Sequence, residues 1–133
     1  GTEAGAEELV GEGEVLSVVG GALGRRVGHG LATSTLSDQS SAVARLFGGL
    51  SLVRRCTIAY DLAGPTGAVW ADDDGDLANR GDDYLMRQVP CIVGGTTEMA
   101  ANVISERVLG MPRERTLDRD VAFRDVPRAP GPS

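Results

Sequence analysis

Residues 91–114, CIVGGTTEMAANVISERVLGMPRE, decide how this chain is read. Gly95 and Thr96 stand where a helix cap belongs, and Glu98 falls in the first turn, where a carboxylate suits the helix dipole. Met99, Val103, Ile104, Val108 and Met111 recur at helical spacing and are expected to form a buried face. Gly110 and Pro112 end the segment. The corner has two compatible readings: a well-capped helix start, and a seat for phosphate or another anion on free amides. Pattern alone serves both.

Working outward, Val43, Leu46, Phe47, Leu50, Val53, Ile58 and Leu62 form one helical stripe. Ser37 and Asp38 are available to cap its start, and Gly64-Pro65 writes its stop. Residues 5–28 place Leu9, Leu16, Val19, Leu23 and Val27 mostly at three- and four-residue steps, which predicts an earlier helix. Glycines dilute that helix, each costing about 1 kcal/mol against alanine. The polar stretch TSTLSDQSS separates the two. GAVWADDDGDLANRGDD reads as an acidic loop, and a short helix is expected over 82–89, with Pro90 close to its end. Four helices and no convincing strand predict an all-α fold, an antiparallel four-helix bundle. The bundle is assigned to residues 1–115 and a charged, proline-rich tail to 116–133.

Composition narrows the function. The 133 residues are 41% hydrophobic, which suits one domain with a modest core, and at 4% aromatics that core must be aliphatic. All 13 basic residues are arginine and the net charge is −6, so the chain lacks the basic stripe that nucleic acid binding needs. No apolar run approaches the roughly 20 residues of a membrane span. Cys56 and Cys91 are not closely spaced and are expected to be reduced, buried thiols of a cytoplasmic protein.

The common chemical motifs fail on their own residues. Aligning Gly75 with the glycine of a calcium loop puts Asp72 and Asp74 at ligand positions, but Trp70 stands first and Gly81 last, where acids belong. A phosphate loop needs a lysine, and there is none. GEGEVL carries Leu16 where a dinucleotide fingerprint needs its third glycine. His29 is the only histidine and has no partners for a metal site. No nucleophile with its base is assignable, so no catalytic or metal-binding residue is named.

The run GGTTEMAANVISERVLGMPRE resembles the C-terminal signature of the acyl-CoA dehydrogenases, in which a Gly-Thr-Ser/Thr-Glu step opens the last long helix. Arg45, Leu46, Phe47 and Gly48 resemble that family's preceding helix, and Gly64 and Gly67 its following turn. The resemblance runs from about residue 5 to 115. It implies a flavoenzyme of lipid metabolism, an oxidoreductase that uses FAD to desaturate an acyl-CoA thioester, of which this chain would be the C-terminal helical domain. By resemblance Gly95, Thr96 and Glu98 would contact the flavin, while Gly64 and Gly67 would touch the FAD of a neighbouring subunit. The expected assembly is a homo- or hetero-oligomer with chains of the same type, acting on acyl-CoA only when complete.

Departures from that pattern separate binding from chemistry. Gly94 stands where many members carry a glutamate base, Ala101 where an arginine usually stands, and Asp61 where a glutamine often does. Pro90 interrupts the approach to the corner. These substitutions predict a chain that is inactive alone, with a non-catalytic assembly subunit or a decayed remnant of the family as the alternatives.

Overall fold

The computed structural model describes residues 3–68, 79–113 and 121–126. Most of the acidic loop, with Trp70, Asp72, Asp74 and Gly75 of the calcium reading, and most of the tail lie outside the described residues. The described chain is all helical. Its helices are α1 (Glu3–Ala32), α2 (Ser41–Ala63), α3 (Asn79–Met86) and α4 (Thr97–Val103), joined by short 3-10 turns.

Helix α1 is longer at both ends than its glycines predict. It turns a stripe of Leu9, Leu16, Leu23 and Val27 inward, and packing on α2 outweighs weak intrinsic propensity. Two of the glycines have a packing reason. A β-carbon at Gly20 would stand 3.4 Å from the Phe47 ring, and one at Gly30 would collide with Leu36, 2.4 Å from its Cδ1. The helix ends in a Schellman motif: the amide of Ser34 donates to Leu31 and that of Thr35 to Gly30, with Ser34 itself left-handed at φ 55°.

Helix α2 is the axis of the molecule, and the other three pack on it. Glu12 meets Arg54 and Gly20 meets Phe47, so α1 runs antiparallel to α2. The Gly81 position meets Gly67 and Tyr84 meets Tyr60, so α3 is also antiparallel. Thr97 meets Gly49, while the turn Ile104–Val108 that continues α4 reaches Asp38–Ser40, giving α4 the same direction. The four helices therefore trace three paths, with α3 and α4 forming one broken rod along α2. Pro90 explains much of the break. It disfavours helix at Val89, and having no amide it cannot bond back to Met86, so α3 ends at Met86 rather than at 89 and a 3-10 turn (Val89–Cys91) follows.

The start of α2 also differs from expectation. A 3-10 turn (Asp38–Ser40) leads into it, and neither Ser37 nor Ser40 caps it with its side chain. The Ser37 hydroxyl instead pairs with that of Ser40, and Ser41 donates to the Asp38 carbonyl. The predicted stop at Gly64-Pro65 is where α2 ends, with Gly64 at φ 57° and ψ −143°.

The core is thin. Val27, Ile58, Cys91 and Ala100 are the buried apolar residues among those described, and Cys56 is only half-buried. The face expected to be buried on α4 is split: Val103 and Ile104 are half-buried, whereas Met99, Val108 and Met111 are exposed. Leu50 and Leu62 of the α2 stripe are exposed as well. Leu85, Met86, Val89, Ile92 and Val93 form a further exposed apolar run along the broken rod.

One ion pair joins α1 to α2. Arg54 grips Glu12 with both arms of its guanidinium, each nitrogen–oxygen distance being 2.6 Å. That hydrogen-bonded fork holds the Glu12 carboxyl below its ordinary value of 4.5. The unfolded chain lacks the fork and takes up the proton first as pH falls. The pair therefore stabilises the fold fully above 4.5 and is lost as pH drops through the lowered folded value. Thermal unfolding of wild type and Arg54→Met should differ near neutrality, and the difference should vanish well below 4.5.

Candidate functional site

The glycine-threonine corner between the 3-10 turn (Val89–Cys91) and α4 is built on backbone that only glycine adopts readily. Gly94 and Gly95 have φ of 74° and 103°, in the left-handed region where a β-carbon clashes. The two residues turn the chain and deliver Thr96 in extended conformation as the N-cap. The Thr96 hydroxyl accepts from the Met99 amide at 3.2 Å. Thr97 donates to a Glu98 carboxylate oxygen at 3.3 Å. The Glu98 backbone amide first, and then the Thr96 and Thr97 hydroxyls, hold the Glu98 carboxyl below its usual value. Thr96 and Glu98 thus complete the helix start that the sequence implies. Replacing Thr96 with alanine should cost about 1 kcal/mol in urea unfolding, and serine should restore most of it.

Beside the corner lies an open groove of about 330 Å³ between the first turns of α2 and α4. Asp38 and Arg45 line one side, Gly94, Gly95 and Thr96 the other, and Met99 adds apolar surface. Arg45 is the residue that the sequence reading did not place in the site. Its Nη2 donates to the Val93 carbonyl at 2.9 Å, and its Nη1 stands 3.7 Å from where a Gly94 β-carbon would be. The two residues are far apart in sequence and become neighbours only because α4 folds back along α2, so no local pattern signals the contact.

The remaining predicted residues stand elsewhere. Glu98 is exposed and does not line the groove. Gly64 and Gly67 lie at the far end of α2, about fifteen residues and roughly 22 Å of helical rise from Gly49, which touches Thr97. One chain therefore does not bring the two sets of predicted contacts to one place. Each of these two glycines also has a reason inside the chain: Gly64 for its backbone angles, and buried Gly67 because a β-carbon there would stand 3.0 Å from that of Ala63. Gly94 presents no side chain to accept a proton, so this position supplies no base.

A larger groove of about 620 Å³ runs between the N-terminal half of α1, α2 and α3, floored by Leu52, Ile58 and Leu62. It contains Cys56, whose thiol is pushed up by burial and then by the nearby Asp83 carboxylate. Such a thiol is a poor nucleophile. Among the described residues no three His, Cys, Asp or Glu side chains converge as a metal site would require. No helix of the described chain is long and apolar enough to cross a membrane.

Comparison with known proteins gives a partial link. A stretch of 57 residues is 40% identical to acyl-CoA dehydrogenase IpdE1 of Mycobacterium tuberculosis, covering 43% of this chain and 14% of that protein. The similarity thus spans a small part of the relative's length. No family model matches the chain, and no solved structure matches it significantly. The similarity is weak support for the acyl-CoA dehydrogenase family.

Proposed function

We propose that this chain is the C-terminal helical part of a FAD-dependent acyl-CoA dehydrogenase, contributing flavin contacts and an oligomer surface, and inactive alone. One observation carries the reading. The corner to which the resemblance assigns flavin contacts forms a wall of a real groove, with a clamped arginine opposite. Two left-handed glycines without side chains suit a ligand lying close to backbone. The groove, at about 330 Å³, is at the low end of small-molecule sites, so it fits part of a dinucleotide and other surfaces must hold the rest.

Gly95, Thr96 and Glu98 would hold the cofactor from this end, and Gly64 and Gly67 would touch the one belonging to a neighbouring subunit. A bound flavin supplies the acceptor for the β hydride of an acyl-CoA thioester. The base, the acyl pocket and the other domains come from elsewhere, since Gly94 offers no carboxylate. A helix supplied by another chain would complete the antiparallel bundle and cover exposed apolar residues on the broken rod.

The reading is tested by isolating the tagged chain from its native host with whatever accompanies it and recording the visible spectrum. A yellow complex is expected, with flavin content reduced by Gly95→Val. A colourless chain overturns the flavin reading and favours the second one, a non-catalytic assembly subunit, which Gly94 and the exposed apolar run already suit.

A further inference from the structure

We propose that the outward face of α1 is a self-association surface, on which a second copy of this chain packs its own α1 antiparallel about a two-fold axis. This names the oligomer surface that the proposed function leaves open, and it stands or falls independently of flavin. A helix turns about 100° per residue, so α1, which points Leu9, Leu16, Leu23 and Val27 at α2, points Ala4, Gly11, Val15, Val18 and Ala22 the other way. Those five follow the three- and four-residue steps of a heptad seam. Val15 and Val18, at its centre, are 61% and 64% exposed. Among the described residues α1 packs chiefly on α2, and a β-carbon at Gly11 would meet nothing within 4 Å.

Charge identifies the occupant. All five acids of α1 lie before Val15, and both of its arginines lie after Val19. The helix's own dipole accounts only for charges in the first and last turns, where Glu3 and His29 stand. Glu7, Glu8, Arg25 and Arg26 lie further in and are exposed. None has an opposite charge three or four residues away, and none joins an ion pair among the described residues. Glu7 and Arg25 stand eighteen residues apart, as do Glu8 and Arg26. That spacing is about five turns, so each pair runs along one edge of the seam. A parallel second copy would set like charge against like. An antiparallel copy centred between Val15 and Val18 sets Val15 against Val18, Gly11 against Ala22, Glu7 against Arg25 and Glu8 against Arg26. Every one of these contacts occurs twice, the self-complementarity that a two-fold interface requires. Gly11 and Ala22 let the two helices approach at the short end of the usual 8–10 Å.

The test is sedimentation equilibrium of the purified chain, with far-ultraviolet circular dichroism to confirm that each variant keeps its helices. Wild type is expected to be a dimer at micromolar concentration. Glu7→Arg with Glu8→Arg makes both ends of the face basic and turns four attractive pairs into repulsive ones. It should weaken the dimer about thirtyfold or more. Adding Arg25→Glu and Arg26→Glu restores opposite signs and should return the dimer close to wild-type strength. Val18→Glu places charge at the centre of an exposed seam, so it should leave a folded monomer. A wild-type monomer would overturn the proposal, as would a dimer indifferent to Val18→Glu or to the first pair of charge changes. The flavin reading is judged on a different observable, the colour of the complex isolated from the host. A yellow complex containing one copy of this chain would keep that reading while overturning the α1 pair. A colourless dimer with this charge dependence would do the reverse.

Discussion

Replacing Gly81 with alanine is expected to destabilise the chain, although Gly81 lies inside a helix. Helix propensity alone argues the reverse, since alanine in a helix interior is favoured over glycine by about 1 kcal/mol. Packing decides the sign. A β-carbon at position 81 would stand 2.6 Å from the carbonyl oxygen of Gly67, and both sides of that contact are backbone, so no rotamer change relieves it. Gly67 is itself buried, in the turn Gly64–Ala68 that packs on α2, and has little room to retreat. Helix α3 must therefore move as a body, opening the stack in which the Tyr60 and Tyr84 rings lie 4.4 Å apart with Arg87 above Tyr84. Overpacking of this kind costs about 1–3 kcal/mol, enough to exceed the propensity gain. The comparison variant is Gly11→Ala on α1, where a β-carbon meets nothing within 4 Å. Urea unfolding should show Gly11→Ala more stable than wild type by up to about 1 kcal/mol and Gly81→Ala less stable by about 2 kcal/mol. The near-ultraviolet circular dichroism of the tyrosine pair should fall in Gly81→Ala alone. Two stabilised variants would mean that α3 does not sit against Gly67.

The same contrast explains what could be read in advance. Local chemistry was legible. The end of α2 at Gly64-Pro65 and the Thr96 cap follow from residues adjacent in sequence, and both are found where those residues place them. Features set by distant partners were not. The length of α1 depends on α2 covering its leucine stripe, which overrides the propensities that argued for a shorter helix. Ser37 and Asp38 are good capping types, yet a 3-10 turn takes up the segment, the Ser37 hydroxyl pairs with that of Ser40, and Asp38 accepts from Ser41 through its backbone carbonyl. Apolar spacing marked Met99, Val108 and Met111 as a face without showing whether this chain supplies its cover. At the site, Gly94, Gly95 and Thr96 are local and were visible, whereas Arg45 enters only through the return of α4 along α2.

Gly64 is where conformation and ligand contact can be told apart. Its φ of 57° with ψ of −143° lies in a region essentially closed to L-residues, at a cost of about 1–3 kcal/mol. A β-carbon there meets nothing within 4 Å, so within the chain the cost of Gly64→Ala is purely conformational. The variant should lose about 2–3 kcal/mol in unfolding experiments, or the turn Gly64–Ala68 should rearrange and carry Gly67 away from α3. The mirror image of the Gly64 conformation is polyproline-like, a region open to every L-residue. D-alanine introduced at position 64 by chemical ligation therefore adopts the native angles without strain and restricts the unfolded chain more than glycine does. It should restore wild-type stability or improve on it by a few tenths of a kcal/mol. The D-alanine chain then carries a methyl group at the turn that the flavin reading places against a neighbouring subunit's cofactor. If it folds as wild type and still enters a yellow complex, Gly64 is glycine for its backbone alone. If it folds but excludes flavin from the assembly, close approach of a ligand is the second reason for glycine at this position.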